Sequence, residues 1–276
     1  MTLPGAGARR LPSRSWPRTI RRAGQVLCLW LLCGGVCGSG SATAQMGKND
    51  IAHWYPSGSE ILSAEYTGPT TRYAHGVLGD GVEWSGLSLT FAGPNGTVMR
   101  VEIELPKDHV FEDLQPRLVD LSLDGRADAV MVVEADTARG AALALYGAAG
   151  KIAETPHIGQ SNRWLAPVGA ADLDGDGHVE LAYIDRPHLA KTLRIWRYDG
   201  RTLTEAASLP GLTNHRIGQD FITSGIRNCE NGPEIVTADA SWSRIMASRL
   251  TSAGIKSRDI GAFAGGASVE AALTCD

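Results

Sequence analysis

Residues 171–185, ADLDGDGHVELAYID, crowd four acidic side chains into their first ten positions. Asp172, Asp174, Asp176 and Glu180 stand at positions 1, 3, 5 and 9 of D-x-D-x-D-G-x-x-E. Alternate side chains of a curling loop point to one centre, and Gly177 permits the tight turn. Unneutralised, such carboxylates repel and raise one another's pKa. A hard cation removes that repulsion. Six to eight oxygen ligands suit Ca²⁺, and an all-oxygen donor set disfavours zinc and copper. The backbone carbonyl of His178 adds a further ligand. The spacing departs from the EF-hand, since Tyr183 stands where that motif places its last glutamate. A second copy holds Asp120, Ser122, Asp124 and Asp128, with the Arg126 carbonyl in the place of His178. One carboxylate has become a hydroxyl there, so weaker affinity is expected. A third copy, SGIRNCENGPEIVTAD, has Ile226 where Asp172 stands, and no metal is expected in it.

A second set of residues is basic and aromatic. The segments TTRY (70–73), SNRW (161–164) and TNHR (213–216) each lead into an apolar stretch. They carry Arg72, Arg163, Trp164, His215 and Arg216, and His75 follows closely. DRPHLAK (185–191) and ASWSR (240–244) add Arg186, His188, Trp242 and Arg244. Converged on one face opposite the acidic loops, these groups would make a bowl for an anionic or sugar ligand. Arginine would supply bidentate bonds and the indoles a stacking surface. His188 with Asp185, or His215 with Asp220, could act as an acid–base pair. No G-x-S-x-G or H-E-x-x-H motif is present.

Positioning such loops requires a repeated scaffold. LVDLSLDGRADAVMVVE and AADLDGDGHVELAYIDR align without a gap, Asp172 lying 52 residues after Asp120. Fainter copies put the period at about fifty residues. Within the best copy the alternation predicts four strands, at 167–172, 179–185, 192–199 and 203–209, with Asp199-Gly200 as a hairpin turn. The expected fold is all-β: a β-propeller of four-stranded antiparallel blades, four or five in number. The repeats are placed at 72–106, 116–159, 167–210 and 221–262, with inner strands starting near Tyr73, Arg117, Pro167 and Phe221. A closing strand is expected at 268–275, and 61–69 reads as an outer strand lacking its blade.

The acidic loop and its repeat resemble the FG-GAP or VCBS-type repeats of integrin α-subunit propellers and of many bacterial exported proteins. The resemblance is strong over 116–135 and 167–200 and weak over 72–106 and 221–250. It implies Ca²⁺ in the loop between the first two strands of a blade. Asp172, Asp174, Asp176, the His178 backbone and Glu180 would hold one ion. Asp120, Ser122, Asp124, the Arg126 backbone and Asp128 would hold another.

Residues 1–27 carry six arginines and no acid. An apolar run to Val36 and the small residues Ala42-Thr43-Ala44 follow. This reads as a secretory signal peptide over 1–44, through Sec or the twin-arginine route, with a lead-in over 45–60 and one propeller domain over 61–276. The expected location is secreted or periplasmic, with no membrane span in the mature chain. Without those arginines, 20 basic residues face 30 acidic ones. That balance argues against nucleic acid as a partner. Cys229 and Cys275 alone remain after the signal. Both end an apolar strand-like stretch, which predicts a disulfide between neighbouring strands. The combined expectation is a calcium-binding module for a protein, glycan or small anionic ligand. The alternative is a propeller hydrolase or lyase acting at the basic face.

Overall fold

The computed structural model describes residues 60–79 and 81–275, all within one compact unit spanning Met46–Asp276. The segments read from sequence as a signal peptide and a lead-in, up to residue 59, lie outside the described residues. The strands are β1 (Ile61–Thr70), β2 (Glu83–Ala92), β3 (Val98–Glu104), β4 (His109–Phe111), β5 (Arg117–Val119), β6 (Ala129–Asp136), β7 (Gly140–Gly147) and β8 (Gly150–Glu154). They continue with β9 (Leu165–Ala171), β10 (Glu180–Asp185), β11 (Thr192–Tyr198), β12 (Leu203–Pro210), β13 (Leu212–Thr213), β14 (Gly225–Cys229), β15 (Gly232–Asp239), β16 (Arg244–Thr251) and β17 (Gly254–Ala262). One helix, α1 (Gly266–Leu273), ends the order. No helix among the described residues is long and apolar enough to cross a membrane.

Every sheet is antiparallel, and three four-stranded meanders recur: β5–β8, β9–β12 and β14–β17. The β9–β12 sheet falls where the period-2 alternation puts it. Its last hairpin turns on Asp199, whose carboxylate accepts the Arg201 and Thr202 amides at 2.9 and 2.6 Å. The short β4 and β13 pair with the far ends of β6 and β15, in line with β5 and β14. A bridge from Trp84 to Phe111 merges β1–β3 with β5–β8 into one eight-stranded sheet.

The meanders pack face to face. Val130, Val132, Ala144 and Tyr146 turn toward Leu87, Leu89 and Phe91 on β2. Met131, Val133, Leu143 and Leu145 turn the other way, toward Leu181 and Tyr183 on β10. Ala182, Ile184 and Ile195 in turn meet Ile235 and Leu250. Strands β6 and β7 are therefore buried along their whole length, which accounts for the near-continuous apolar run AVMVV.

Several expectations need correction. Residues 268–275 form no strand: α1 runs over Gly266–Leu273 and Val269, Ala272 and Leu273 pack on Val236 and Ile245. The helix covers the outer face of the last sheet, which would otherwise be open. The inner strand placed near Tyr73 is a loop. Its role belongs to β1, which pairs directly with β2 from Thr70↔Glu83 to Ile61↔Phe91 and so is not an orphan outer strand. The strand expected from Phe221 begins at Gly225. The Cys229–Cys275 disulfide is present with Cα atoms 5.7 Å apart. It joins β14 to the residues just past α1, not to a neighbouring strand.

Candidate functional site

The β1–β2 loop (71–82) meets three other segments at one end of the sheets. The Asn162 amide donates to the Tyr73 hydroxyl at 2.7 Å, and the Gly218 amide to the Val77 carbonyl at 3.0 Å. The Arg186 amide donates to the Trp164 carbonyl at 3.1 Å, and the Thr213 hydroxyl to the Pro187 carbonyl at 2.9 Å. Two glycines make these approaches possible. A Cβ on Gly79 would stand 2.8 Å from the Gly218 carbonyl oxygen, and one on Gly140 only 2.2 Å from that of Gln160. Asn162 and Arg186 both take left-handed backbone (φ 54° and 44°), a cost that clusters where surrounding contacts hold a site in place.

These segments enclose a cavity of about 280 Å³ lined by His75, Arg163, Trp164, Arg186 and His188, with Val77, Leu189 and Ile217. Five of the basic and aromatic candidates thus meet in one place. His215 stands behind His188, with Nε2 of His188 at 3.0 Å from Nδ1 of His215. The other four do not line the cavity. Arg72 is bonded to the His109 carbonyl. Arg216 lies 4.5 Å from the ring centre of Trp242, and Arg244 pairs with Asp259.

Hydrogen bonding fixes the histidine tautomers. Nε2 of His215 lies 2.9 Å from the Gln219 carbonyl, which only accepts, so that nitrogen carries the proton. Nδ1 of neutral His215 then accepts from Nε2–H of His188, leaving Nδ1 of His188 with a lone pair. Burial, then the neighbouring His215 and His75, push the His188 pKa down to about 4. Burial lowers His215 as well. His75 is hydrogen-bonded through Nδ1 to Glu112 Oε1. Glu112 is fully buried, and desolvation raises its pKa. Its other oxygen, Oε2, has no partner among the described residues.

The two arginines differ. Arg186 grips Asp185 with both Nε and a terminal nitrogen, at 2.8 and 3.0 Å. Arg163 has no carboxylate partner among the described residues and donates only to the Asn162 carbonyl, at 2.9 Å. Trp164 is 2 % exposed, gives its indole N–H to the Glu112 carbonyl at 2.8 Å and stacks at 14° on His188.

At the opposite end of β9 lies the acidic loop. Candidate ligand atoms of Asp172, Asp174 and Asp176 fall within 4.8 Å of one another. Asp172 accepts the amides of Gly175, Asp176 and Gly177 at 2.7, 3.1 and 3.0 Å, so the loop is pre-shaped. Glu180 is fully buried at its base and accepts the Leu173 amide at 2.8 Å. The His178 amide is tied to Asp176 at 3.0 Å. A side chain absent from the motif also enters the loop. Arg197 reaches Asp174 and Glu180 at 2.6 Å and Asp176 at 2.9 Å. Its signal was available in sequence, because Arg197 stands opposite Glu180 in the β10–β11 hairpin. The donor set remains all oxygen and fits a hard cation, with Arg197 as its competitor.

The loop at 120–128 is less gathered. Asp120 accepts the Gly125 amide at 2.7 Å and the Ser122 hydroxyl at 3.3 Å. Asp124 pairs with Arg126 at 2.6 Å, and Asp128 accepts the Leu121 amide at 2.8 Å. In the third copy Glu234 is held by Arg227 and Arg258, at 2.6 and 2.7 Å.

No family model matches this sequence, and no curated protein matches it.

Proposed function

We propose that the chain is an exported, calcium-stabilised binding module of the FG-GAP/VCBS-like β-propeller kind, whose cavity takes a small anion. The observation that carries this reading is the convergence of His75, Arg163, Trp164, Arg186 and His188 on one cavity from three separate segments. Of the two arginines at the cavity, Arg163 is the one without a carboxylate partner among the described residues, and an anion would complete it. The face-to-face packing of successive meanders supports a radial arrangement of four units, β1–β3, β5–β8, β9–β12 and β14–β17. The contact of the β1–β2 loop with Gly218 links the first unit to the last. Ca²⁺ would be held by Asp172, Asp174, Asp176, the His178 carbonyl and Glu180. The weaker second site comprises Asp120, Ser122, Asp124, the Arg126 carbonyl and Asp128. The arginine-rich N-terminal segment supports secretion or a periplasmic location.

A melting screen of small carboxylates, phosphate and sugars tests the binding reading. At ten times Kd, one bound anion adds about 1.4 kcal/mol, or roughly 3–6 °C in a domain this size. Arg163→Gln should abolish the response; an equal response in that variant contradicts the reading.

The hydrogen-bonded Glu112–His75 pair favours a second reading, in which the same cavity is the active centre of a hydrolase or lyase. A buried carboxylate orienting a histidine at a cavity wall is the arrangement of a general base. The two readings separate on the fate of the ligand. A binding module returns it unchanged, whereas an enzyme converts it and loses turnover in Glu112→Gln.

A further inference from the structure

We infer that the cavity selects a small amphipathic monocarboxylate, one carboxylate on a hydrocarbon body, in preference to a sugar acid or phosphate. This rests on the anion-binding reading above and narrows it. The charge comes first. Arg186 is already neutralised by Asp185 through two bonds, and His188 is neutral above its lowered pKa. Arg163 is thus the one guanidinium at the cavity without an acid among the described residues, which matches a single negative charge.

The second observation is the mouth. Leu189 and Ile217 line the cavity from different segments, yet they are 66 % and 72 % exposed. Both are large aliphatic side chains, and neither supports the sheets. Together with Val77 they form a hydrocarbon wall beside the arginine. A ligand with an apolar body would remove that surface from water.

The third observation counts against the sugar-binding alternative. Stacking on a pyranose needs an open aromatic face. Trp164 is buried to 2 % and lies against His188, and its N–H is already bonded. The acceptors among the lining side chains are few, Nδ1 of His188, Nε2 of His75 and the Asn162 amide, which is a sparse set for a ligand carrying several hydroxyl groups. A volume of about 280 Å³ lies just below the roughly 300–1,000 Å³ of ordinary small-molecule sites. It accommodates one short chain or one ring.

Titration calorimetry on the full chain at neutral pH, with octanoate, glucuronate and inorganic phosphate as probes, tests this. Octanoate should bind at least about tenfold more tightly than either other anion. Ile217→Ser should weaken octanoate about tenfold, as expected when one aliphatic contact is lost, and Arg163→Gln by at least as much. Both positions are on the surface, and circular dichroism checks that the variants stay folded. Glucuronate or phosphate binding as tightly as octanoate overturns the inference but leaves the anion site standing. Octanoate binding that is indifferent to Ile217→Ser or Arg163→Gln overturns it as well. No binding of any probe overturns both readings.

Discussion

His188 keeps its ring neutral because it is partly buried beside His215, and this has a consequence for stability. The unfolded chain takes up that proton near pH 6.5 and the folded chain only near pH 4. A depressed histidine pKa means that protons favour the unfolded state within this window. The stabilising contribution is complete above about pH 6.5 and is lost as the pH falls toward about 4. His188→Gln should flatten this part of the stability profile relative to the native protein; parallel profiles would contradict the depressed pKa of His188. Arg197 gives the second residue-level test. Three carboxylates hold its guanidinium, and the bond from Glu180 leads the causes that raise its pKa. It neutralises charge that Ca²⁺ would otherwise neutralise. In Arg197→Gln the protein should melt lower in EDTA, and the rise on adding Ca²⁺ should exceed that of the native chain. An unchanged or smaller rise would show that the guanidinium and the ion do not compete.

At the level of elements, α1 occupies the stretch where a closing strand was expected and packs on β15 and β16 through Val236 and Ile245. Its disulfide closes a loop of 46 residues, worth about 4 kcal/mol on the chain-entropy account. Cys229→Ser with Cys275→Ser should therefore lose up to that amount in denaturant unfolding, and a loss near zero would mean that α1 docks by packing alone. The turn at Gly140 ties β6–β7 to the segment that carries Arg163. Gly140→Ala puts a methyl group into the Gln160 and Arg163 carbonyls. It should cost about 2 kcal/mol or more and weaken anion binding together with stability. The meanders were legible because their strands alternate and Asp199-Gly200 marks a hairpin. The helix was not, because SVEAALTC is short and the residues it packs inward, buried Val269 with half-buried Ala272 and Leu273, span a single turn. The stretch around Tyr73 read as a strand start because Arg72 and Tyr73 resemble Arg163 and Trp164, whereas β1 had already supplied that strand. The cavity was half legible. Arg163, Trp164, Arg186 and His188 were singled out by their place before or between strands. Glu112 belongs to no motif, and Leu189 and Ile217 gain meaning only once four segments meet.

Across the whole molecule, the proposed function gives the two ends of the sheets different work. The acidic loops at one end would hold the cations that fix the hairpins, and the cavity at the other end would take the anion. The ends communicate only through stacked sheets, so their ligands should act independently and additively. The most direct test is a single melting matrix. The native protein, Asp174→Ala and Arg163→Gln are each scanned in EDTA, in excess Ca²⁺, and in EDTA with excess octanoate. Calcium should raise the midpoint of the native protein and Arg163→Gln by roughly 3–6 °C and that of Asp174→Ala by distinctly less, since only the weaker second site remains there. Octanoate should raise the native protein and Asp174→Ala and leave Arg163→Gln unmoved. A response to octanoate in Arg163→Gln, or to calcium in Asp174→Ala, as large as the native one would contradict the division of labour on which the account rests.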